Sequence, residues 1–218
     1  MTANTFRQFP AALALVALSA TASAQSATSI VSSPAAMAKA RADSARYPYT
    51  TADVEFMQGM IHHHAQAIEM SKMAPTHNAG PAVQKLAARI INAQTDEIRL
   101  MSFWLADRNQ EVPAPTAGPM KMKMNGTEMM MLMPGMLSEE QMKELDAARG
   151  TDFDKLFLKY MMQHHKGATG MVKTLFDTYG AGQDEMIFKF ASDVNIDQTT
   201  EINRMYQLLS LIEIGLTP

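Results

Sequence analysis

Two segments of this 218-residue chain carry histidine pairs at the same spacing from methionines. The first, MQGMIHHHAQAIEM, begins at Met57, and the second, LKYMMQHHKGATGM, begins at Leu158. Met60, His63, His64, Ala67 and Met70 of the first segment recur 101 positions later as Met161, His164, His165, Ala168 and Met171. Imidazole and thioether groups are ligands that Cu(I) prefers. The repeat therefore predicts a soft-metal site that both copies build together.

A second repeat places polar side chains beside the histidines. Gln94, Glu97 and Met101 recur as Gln198, Glu201 and Met205, now 104 positions apart. At about 100° per residue, both glutamates fall on the apolar face of a helix, where a carboxylate needs a partner. A carboxylate that holds one imidazole nitrogen while the other nitrogen binds a metal is a common arrangement. We therefore predict that Glu97 and Glu201, with Gln94 and Gln198 beside them, orient the histidines.

The predicted metal ligands come from both repeats. They are His63, His64, His164, His165, Met60, Met70, Met101, Met161, Met171 and Met205. The alternative is a buried Glu–His network without metal that fixes the pairing of the two hairpins, with methionines serving only as core packing. His62 falls on the opposite side of its helix, where the second repeat has Gln163, so we expect it to be solvated.

The residue types favour a soft metal and argue against oxygen-activating iron. Di-iron and di-manganese bundles use Glu-x-x-His on two helices, whereas the residues three positions before these histidines are Met60, Ile61, Met161 and Met162. The sequence thus predicts Cu(I), with Ag(I) and Zn(II) left open. We expect a binding protein and not an enzyme. The alternatives are a ferritin-like metalloenzyme that oxidises a metal or a small substrate, and a metal-free interaction module.

Methionine is concentrated in one further segment, since eight of the 21 methionines lie between Met120 and Met136. One interpretation is a second, mobile Cu(I) or Ag(I) site formed by Met120, Met122, Met124, Met129, Met130, Met131 and Met133. The other is a flexible linker laid over a groove, with methionine as adaptable filler. Glycines and prolines interrupt the segment, so we expect it to add little to the core.

The N-terminus predicts export. Arg7 precedes an apolar run from Ala11 to Ala20, and the Ala-Ser-Ala sequence at 22–24 is typical of a signal-peptide cleavage site. We predict a signal peptide at 1–24, cleaved after Ala24, a flexible lead at 25–49, and a periplasmic or secreted protein without a membrane span in its mature form. The formal charge of -3 indicates no nucleic-acid partner. The expected partners are a metal ion and a copper exporter or chaperone of the same compartment.

The elements that must position these residues are helices. We predict a first helical hairpin at 50–107, a Met-rich linker at 108–137, and a short helix plus a second hairpin at 138–212, with 50–212 forming one domain. No segment is expected to show the alternation of period two that is typical of a strand, so the predicted fold class is all α. Each hairpin has one apolar face to bury, which favours a four-helix bundle with a pseudo-twofold axis.

Five motifs along residues 47 to 212 resemble the CopM family of periplasmic metal-binding proteins. They are ADVEFMQGMIHHHAQAIEM, LAARIINAQTDEIRLMSFWL, PGMLSEEQ, FDKLFLKYMMQHHKGATGMV and FASDVNIDQTTEINRM. The resemblance implies a ferritin-like four-helix bundle, export, and copper binding or resistance without known catalysis. It points to His63, His64, His164 and His165 with neighbouring methionines. This chain has His62 where the family often has proline, and Gln66 where many members have glycine.

Overall fold

The computed structural model describes residues 49–124 and 127–216, together with their side chains except those of 122–124 and Thr127. Within these ranges the chain forms helices α1 (Thr51–Met73), α2 (Pro81–Asp107), α3 (Glu139–Ala147), α4 (Gly150–Asp177) and α5 (Glu185–Glu213), and strands β1 (Met120–Met124) and β2 (Thr127–Met131). None of these helices combines the length and apolarity needed to cross a membrane. The predicted signal peptide, 1–24, lies outside the described residues, as does the lead up to residue 48.

Local signals in the sequence explain where the helices begin. Thr50 and Asp53 form a capping box at the start of α1, and Ser138 with Gln141 forms the predicted capping box of α3. Pro81 occupies the first turn of α2, where its missing N–H costs nothing. Asp184 accepts hydrogen bonds from two backbone N–H groups at the start of α5.

The four long helices form two antiparallel hairpins, α1 with α2 and α4 with α5, which meet mainly where α1 packs against α4. The sequence repeat also includes two aspartates that link the hairpins by hydrogen bonds. Asp53 Oδ1 accepts a hydrogen bond from Gly182 N at 2.7 Å, and Asp154 accepts from Gly80 N at 3.1 and 3.0 Å. Each aspartate thus fixes the loop of the opposite hairpin. Sequence reasoning missed this pair, although the aspartates share the 101-residue spacing.

The core consists of two apolar clusters separated by a polar layer. The first cluster joins the beginning of α1 to the end of α4 and includes Met60, Met101 and Met171. The second joins the end of α1 to the beginning of α4 and includes Met70, Met161 and Met205. Between the clusters, all four long helices contribute polar residues. We call these the histidine layer: His63, His64, Gln94, Glu97, His164, His165, Gln198 and Glu201.

The prediction of a mostly helical bundle is confirmed, but the all-α assignment is wrong in the Met-rich segment. Strands β1 and β2 pair antiparallel, with Met120 opposite Met131 and Met124 opposite Thr127. The sequence MKMKM alternates polar and apolar residues, as a strand with one covered face does. The Asn-Gly sequence that follows it is a strong hairpin signal. Both signals were present in the sequence and were overlooked.

The expectation that this segment adds little to the core is also wrong. Residues 111–124 and 127–137, which we call the strap, contact α1 and α4 through hydrogen bonds to Gln58, Gln66 and Gln163. Met120, Met133 and Met136 belong to the first apolar cluster. Gln66 of α1 holds the strap through Ala117 O at 3.2 Å, and through Leu137 O at 3.0 Å and Leu137 N at 2.7 Å.

We predict that Asp154→Ala lowers the free energy of unfolding by about 1–3 kcal/mol, because the Gly80 N–H loses its acceptor. Asp152, which is exposed in the first turn of the same helix, is the matched control. Asp152→Ala should cost clearly less. Urea unfolding followed by circular dichroism measures both changes. Equal losses for the two variants would contradict the proposed tie between the hairpins.

Candidate metal centre

The four histidines of the two repeats meet at the centre of the bundle. His63 and His64 come from α1, His164 and His165 come from α4, and all four are fully buried. The closest pair is His63 and His164, whose ring centroids lie 3.7 Å apart across the contact between the two helices. The rings within each pair are 6.2 and 6.3 Å apart. The packing of α1 on α4 therefore brings together the four histidines that the sequence singled out.

The predicted glutamate partners reach two of these rings. Glu97 Oε2 lies 2.5 Å from His64 Nε2, and Glu201 Oε2 lies 2.8 Å from His165 Nε2. In the neutral ring, an Nε2–H that donates to a carboxylate leaves Nδ1 with a lone pair. The two glutamates thus hold His64 and His165 in the tautomer whose Nδ1 is ready to bind a cation.

The other two histidines break the symmetry of the repeat. His63 Nε2 lies 3.1 Å from Pro134 O of the strap, an acceptor that fixes Nε2 as the protonated nitrogen. His164 occupies the same place in the second repeat, and neither of its nitrogens has a hydrogen-bond partner among the described residues. Among the described residues, the strap therefore forms a hydrogen bond with His63 and none with His164.

Five ring nitrogens are buried and lack a hydrogen-bond partner in the described part of the chain. These unpaired ring nitrogens are Nδ1 of His63, His64 and His165, and both Nδ1 and Nε2 of His164. A buried polar atom without a partner costs about 1–3 kcal/mol, so a cluster of them calls for an explanation. A bound cation would be a partner for the nitrogens that carry a lone pair, which are Nδ1 of His63, His64 and His165 and one nitrogen of His164.

Two glutamines add to this surplus of unpaired polar atoms. Gln94 and Gln198 are both buried, and within residues 49–124 and 127–216 neither atom of the Gln94 amide has a partner, nor does Gln198 Oε1. Both were predicted to lie beside the glutamates. Their burial next to the histidines makes the whole layer polar while its two neighbouring clusters are apolar.

Burial keeps the rings of His63 and His164 neutral. It lowers the pKa of His63 and of His164 well below the ordinary value of 6.5, and repulsion from the neighbouring histidine rings lowers both further. The contact with the Pro134 carbonyl opposes this shift at His63 without reversing it. A metal ion binds the neutral ring, so both side chains are in the ligating form at neutral pH.

The six predicted methionine ligands are all buried, and they divide evenly between the two clusters that flank the histidine layer. Met60, Met101 and Met171 lie on one side, and Met70, Met161 and Met205 on the other. Among the residues described, no three His, Cys, Asp or Glu side chains converge as a ready metal site. Thioether sulfur, which suits Cu(I), is a further donor type in the two clusters that flank the layer.

The methionines predicted to form a mobile site all lie in the strap, and those whose side chains are described differ in burial. Met120 and Met133 are buried, Met131 is half-buried, and Met129 and Met130 are exposed. The side chains of Met122 and Met124 lie outside the described residues. The exposed and buried members therefore do not form one cluster.

The prediction that His62 is solvated is wrong, because the strap covers it. Its Nδ1 lies 3.0 Å from Thr116 O and 3.1 Å from the Thr116 hydroxyl, and the side chain is buried. Its position on the helix was derived correctly, on the side away from the central rings. Sequence reasoning failed here because it assigned no structure to the strap.

We predict that the metal-free protein loses stability as the pH falls below 6.5. An unfolded histidine takes up a proton near that pH, whereas His63 and His164 stay neutral in the folded chain, so unfolding is coupled to proton uptake. Urea unfolding between pH 7.5 and 5.5 measures the slope. His164→Leu should raise stability and flatten the slope, since it removes one of the two groups. A slope unchanged by this substitution would contradict the assignment.

Comparisons with known proteins agree with this architecture. The chain resembles a DUF305 protein from Streptomyces coelicolor with 28% identity and a TM-score of 0.63, over 76% of this chain and 95% of that one. A DUF305 fragment from Deinococcus radiodurans gives 26% identity and a TM-score of 0.61, over 75% and 98% of the two chains. CopM in its Cu(I)-bound form gives 27% identity and a TM-score of 0.54, over 75% and 97%.

One curated protein, the uncharacterized protein L153 of Acanthamoeba polyphaga mimivirus, is 39% identical over 56 residues, which are 26% of this chain and 37% of that protein. The family model for the domain of unknown function DUF305 matches residues 53–209, which include most of both hairpins, the strap and the histidine layer. The chain therefore belongs to the DUF305 family and is a CopM-like member of it.

Proposed function

We propose that this protein binds Cu(I), and Ag(I) as its chemical analogue, at the histidine layer, and that it buffers or passes copper outside the cytoplasm without catalysing a reaction. The observation that carries this proposal is the set of five unpaired ring nitrogens at the centre of the bundle. If the layer served packing alone, apolar side chains in its place would give a more stable fold.

The donor types support a soft, singly charged cation. The rings of His63 and His164 are neutral, and the methionines on both sides of the layer are uncharged. The two carboxylates nearest the rings already hold His64 and His165. Hard dications prefer oxygen ligands, whereas imidazole and thioether suit Cu(I). Zn(II) is the competing cargo, and the metal content of the purified protein separates the two.

The relatives support the proposed cargo and location. CopM has been solved with Cu(I), Cu(II) and Ag bound as well as in an apo form. The DUF305 relative from Streptomyces coelicolor is described as secreted. Together with the predicted signal peptide at 1–24, this supports export. A ferritin-like arrangement of the helices and a copper exporter or chaperone as the partner are part of the same proposal.

Replacing all four histidines, His63, His64, His164 and His165, by Gln should abolish high-affinity Cu(I) binding at the layer. The matched control is His77→Gln, because His77 is also buried but contacts Asp146 at the edge of the bundle. Competition with a chromogenic Cu(I) chelator under reducing conditions measures the affinity. A fourfold variant that keeps the parent's affinity, or a parent that prefers Zn(II), would contradict the proposal.

Glu97→Gln and Glu201→Gln should each weaken Cu(I) binding by about 10–100-fold, because the carboxylate no longer fixes the tautomer of His64 or His165. Glu69→Gln, at an exposed position on α1, is the control and should leave the affinity unchanged. The same chelator competition reports all three. Equal affinities in all variants would show that the glutamates serve packing only.

A further inference from the structure

Three methionines from distant parts of the chain converge on Gly59 of α1. A β-carbon built on Gly59 would lie 2.8 Å from Met133 Sδ, 3.6 Å from Met120 Sδ and 3.5 Å from Met171 Cε. The two strap sulfurs are thus no farther apart than the sum of their distances to that point. Only a residue without a side chain leaves this space to the two strap sulfurs and the Met171 methyl group, so Gly59 makes the convergence possible.

We infer that Met120, Met133 and Met171 form a preformed thioether site for a singly charged soft cation, separate from the histidine layer. The inference deepens the proposed function and rests on it for the class of cargo. None of the three donors carries charge, and thioether sulfur selects Cu(I) or Ag(I). Removing a dication from water costs far more than removing a monocation, so a neutral pocket favours the monocation.

The strap positions two of the three sulfurs. Gly135 has a positive φ of 81°, and a β-carbon on Gly167 of α4 would lie only 1.9 Å from Pro134 O. These two glycines let the strap backbone touch α4 directly after Met133. Gln163 Nε2 donates to Gly135 O at 3.3 Å, and Gln66 holds Leu137. Hydrogen bonds from Gln66 of α1 and Gln163 of α4 therefore fix the strap around Met133 in the metal-free protein.

Nearby methionines differ from these three in ways that separate ligands from packing. Met136 Sδ already accepts a hydrogen bond from Met133 N at 3.3 Å. Met57 and Met60 are fully buried, whereas Met120, Met133 and Met171 keep 6–9% of their surface exposed. These three side chains thus lie at the edge of the apolar cluster and not at its centre. The rival explanation is that methionine fills an irregular gap in the core.

Silver binding to the full mature chain tests the inference, because Ag(I) has the same ligand preference and no accessible second oxidation state under these conditions. Met120→Leu combined with Met133→Leu keeps the volume and removes both strap sulfurs. We expect this variant to bind one Ag(I) fewer per chain in calorimetry. Met162→Leu, a buried methionine of the second cluster, is the control and should bind as many ions as the parent.

Gly59→Ala displaces the Met133 sulfur without removing a donor, and it decides the matter if the double variant does not fold. We expect it to weaken the thioether site by about 10-fold or more, with the histidine site intact. X-ray absorption of the fourfold His→Gln variant loaded with one Ag(I) should show sulfur neighbours only.

The two proposals fail differently. If the double Leu variant and Gly59→Ala bind as many Ag(I) ions as tightly as the parent, the inferred site is overturned, while loss of binding in the fourfold His→Gln variant would still support the layer. If the double Leu variant loses an ion and the fourfold His→Gln variant does not, the thioether site is supported and the histidine site is contradicted.

Discussion

The structure depends on one constraint, which is that the centre of the bundle is both polar and sealed from water. Four histidines and two glutamines fill the layer between two apolar clusters, and their unpaired ring nitrogens have no partner among the described residues. Glu97 and Glu201 reach in from the outer helices and satisfy one nitrogen each. At His63 and His164, burial lowers the pKa and keeps the ring neutral, so each of these two rings has a lone pair available. The proposed metal would supply the interaction that folding alone does not provide.

The internal repeat builds this layer, and the strap then makes its two sides different. His63 and His164 occupy equivalent places, but only His63 contacts the strap, through Pro134 O. Gln66 anchors the strap where the second repeat has Gly167, and that glycine lets the strap backbone approach α4 closely. Negative charge gathers on the outer helices, where burial, and then Glu97, Asp193 and Glu201, raise the pKa of Asp197. The strap side of the bundle therefore offers thioether sulfur, and the side of α2 and α5 offers carboxylates.

Comparison of the two copies predicted the histidine layer, although it missed the repeated aspartates Asp53 and Asp154. The repeat of Met60, His63 and His64 predicted the meeting of α1 and α4, and an isolated glutamate on each apolar face predicted the His–Glu hydrogen bonds. The sequence did not predict the role of residues that contact the strap, because the strap occurs once and the repeat offers no second copy to compare. The strap has no counterpart in the second half, so the roles of His62 and Gln66 depended on a structure that periodicity could not give. The alternating MKMKM sequence was a readable signal, and the composition of the segment concealed it.

Anomalous diffraction from crystals of the Cu(I)-loaded protein, recorded on both sides of the copper absorption edge, tests the central claim most directly. It locates the ion without relying on any substitution. The account predicts a copper peak inside the bundle, bonded to at least one of the unpaired ring nitrogens of His63, His64, His164 and His165. Copper found only at the exposed Met129 and Met130, with the histidine layer unchanged from the metal-free protein, would contradict it.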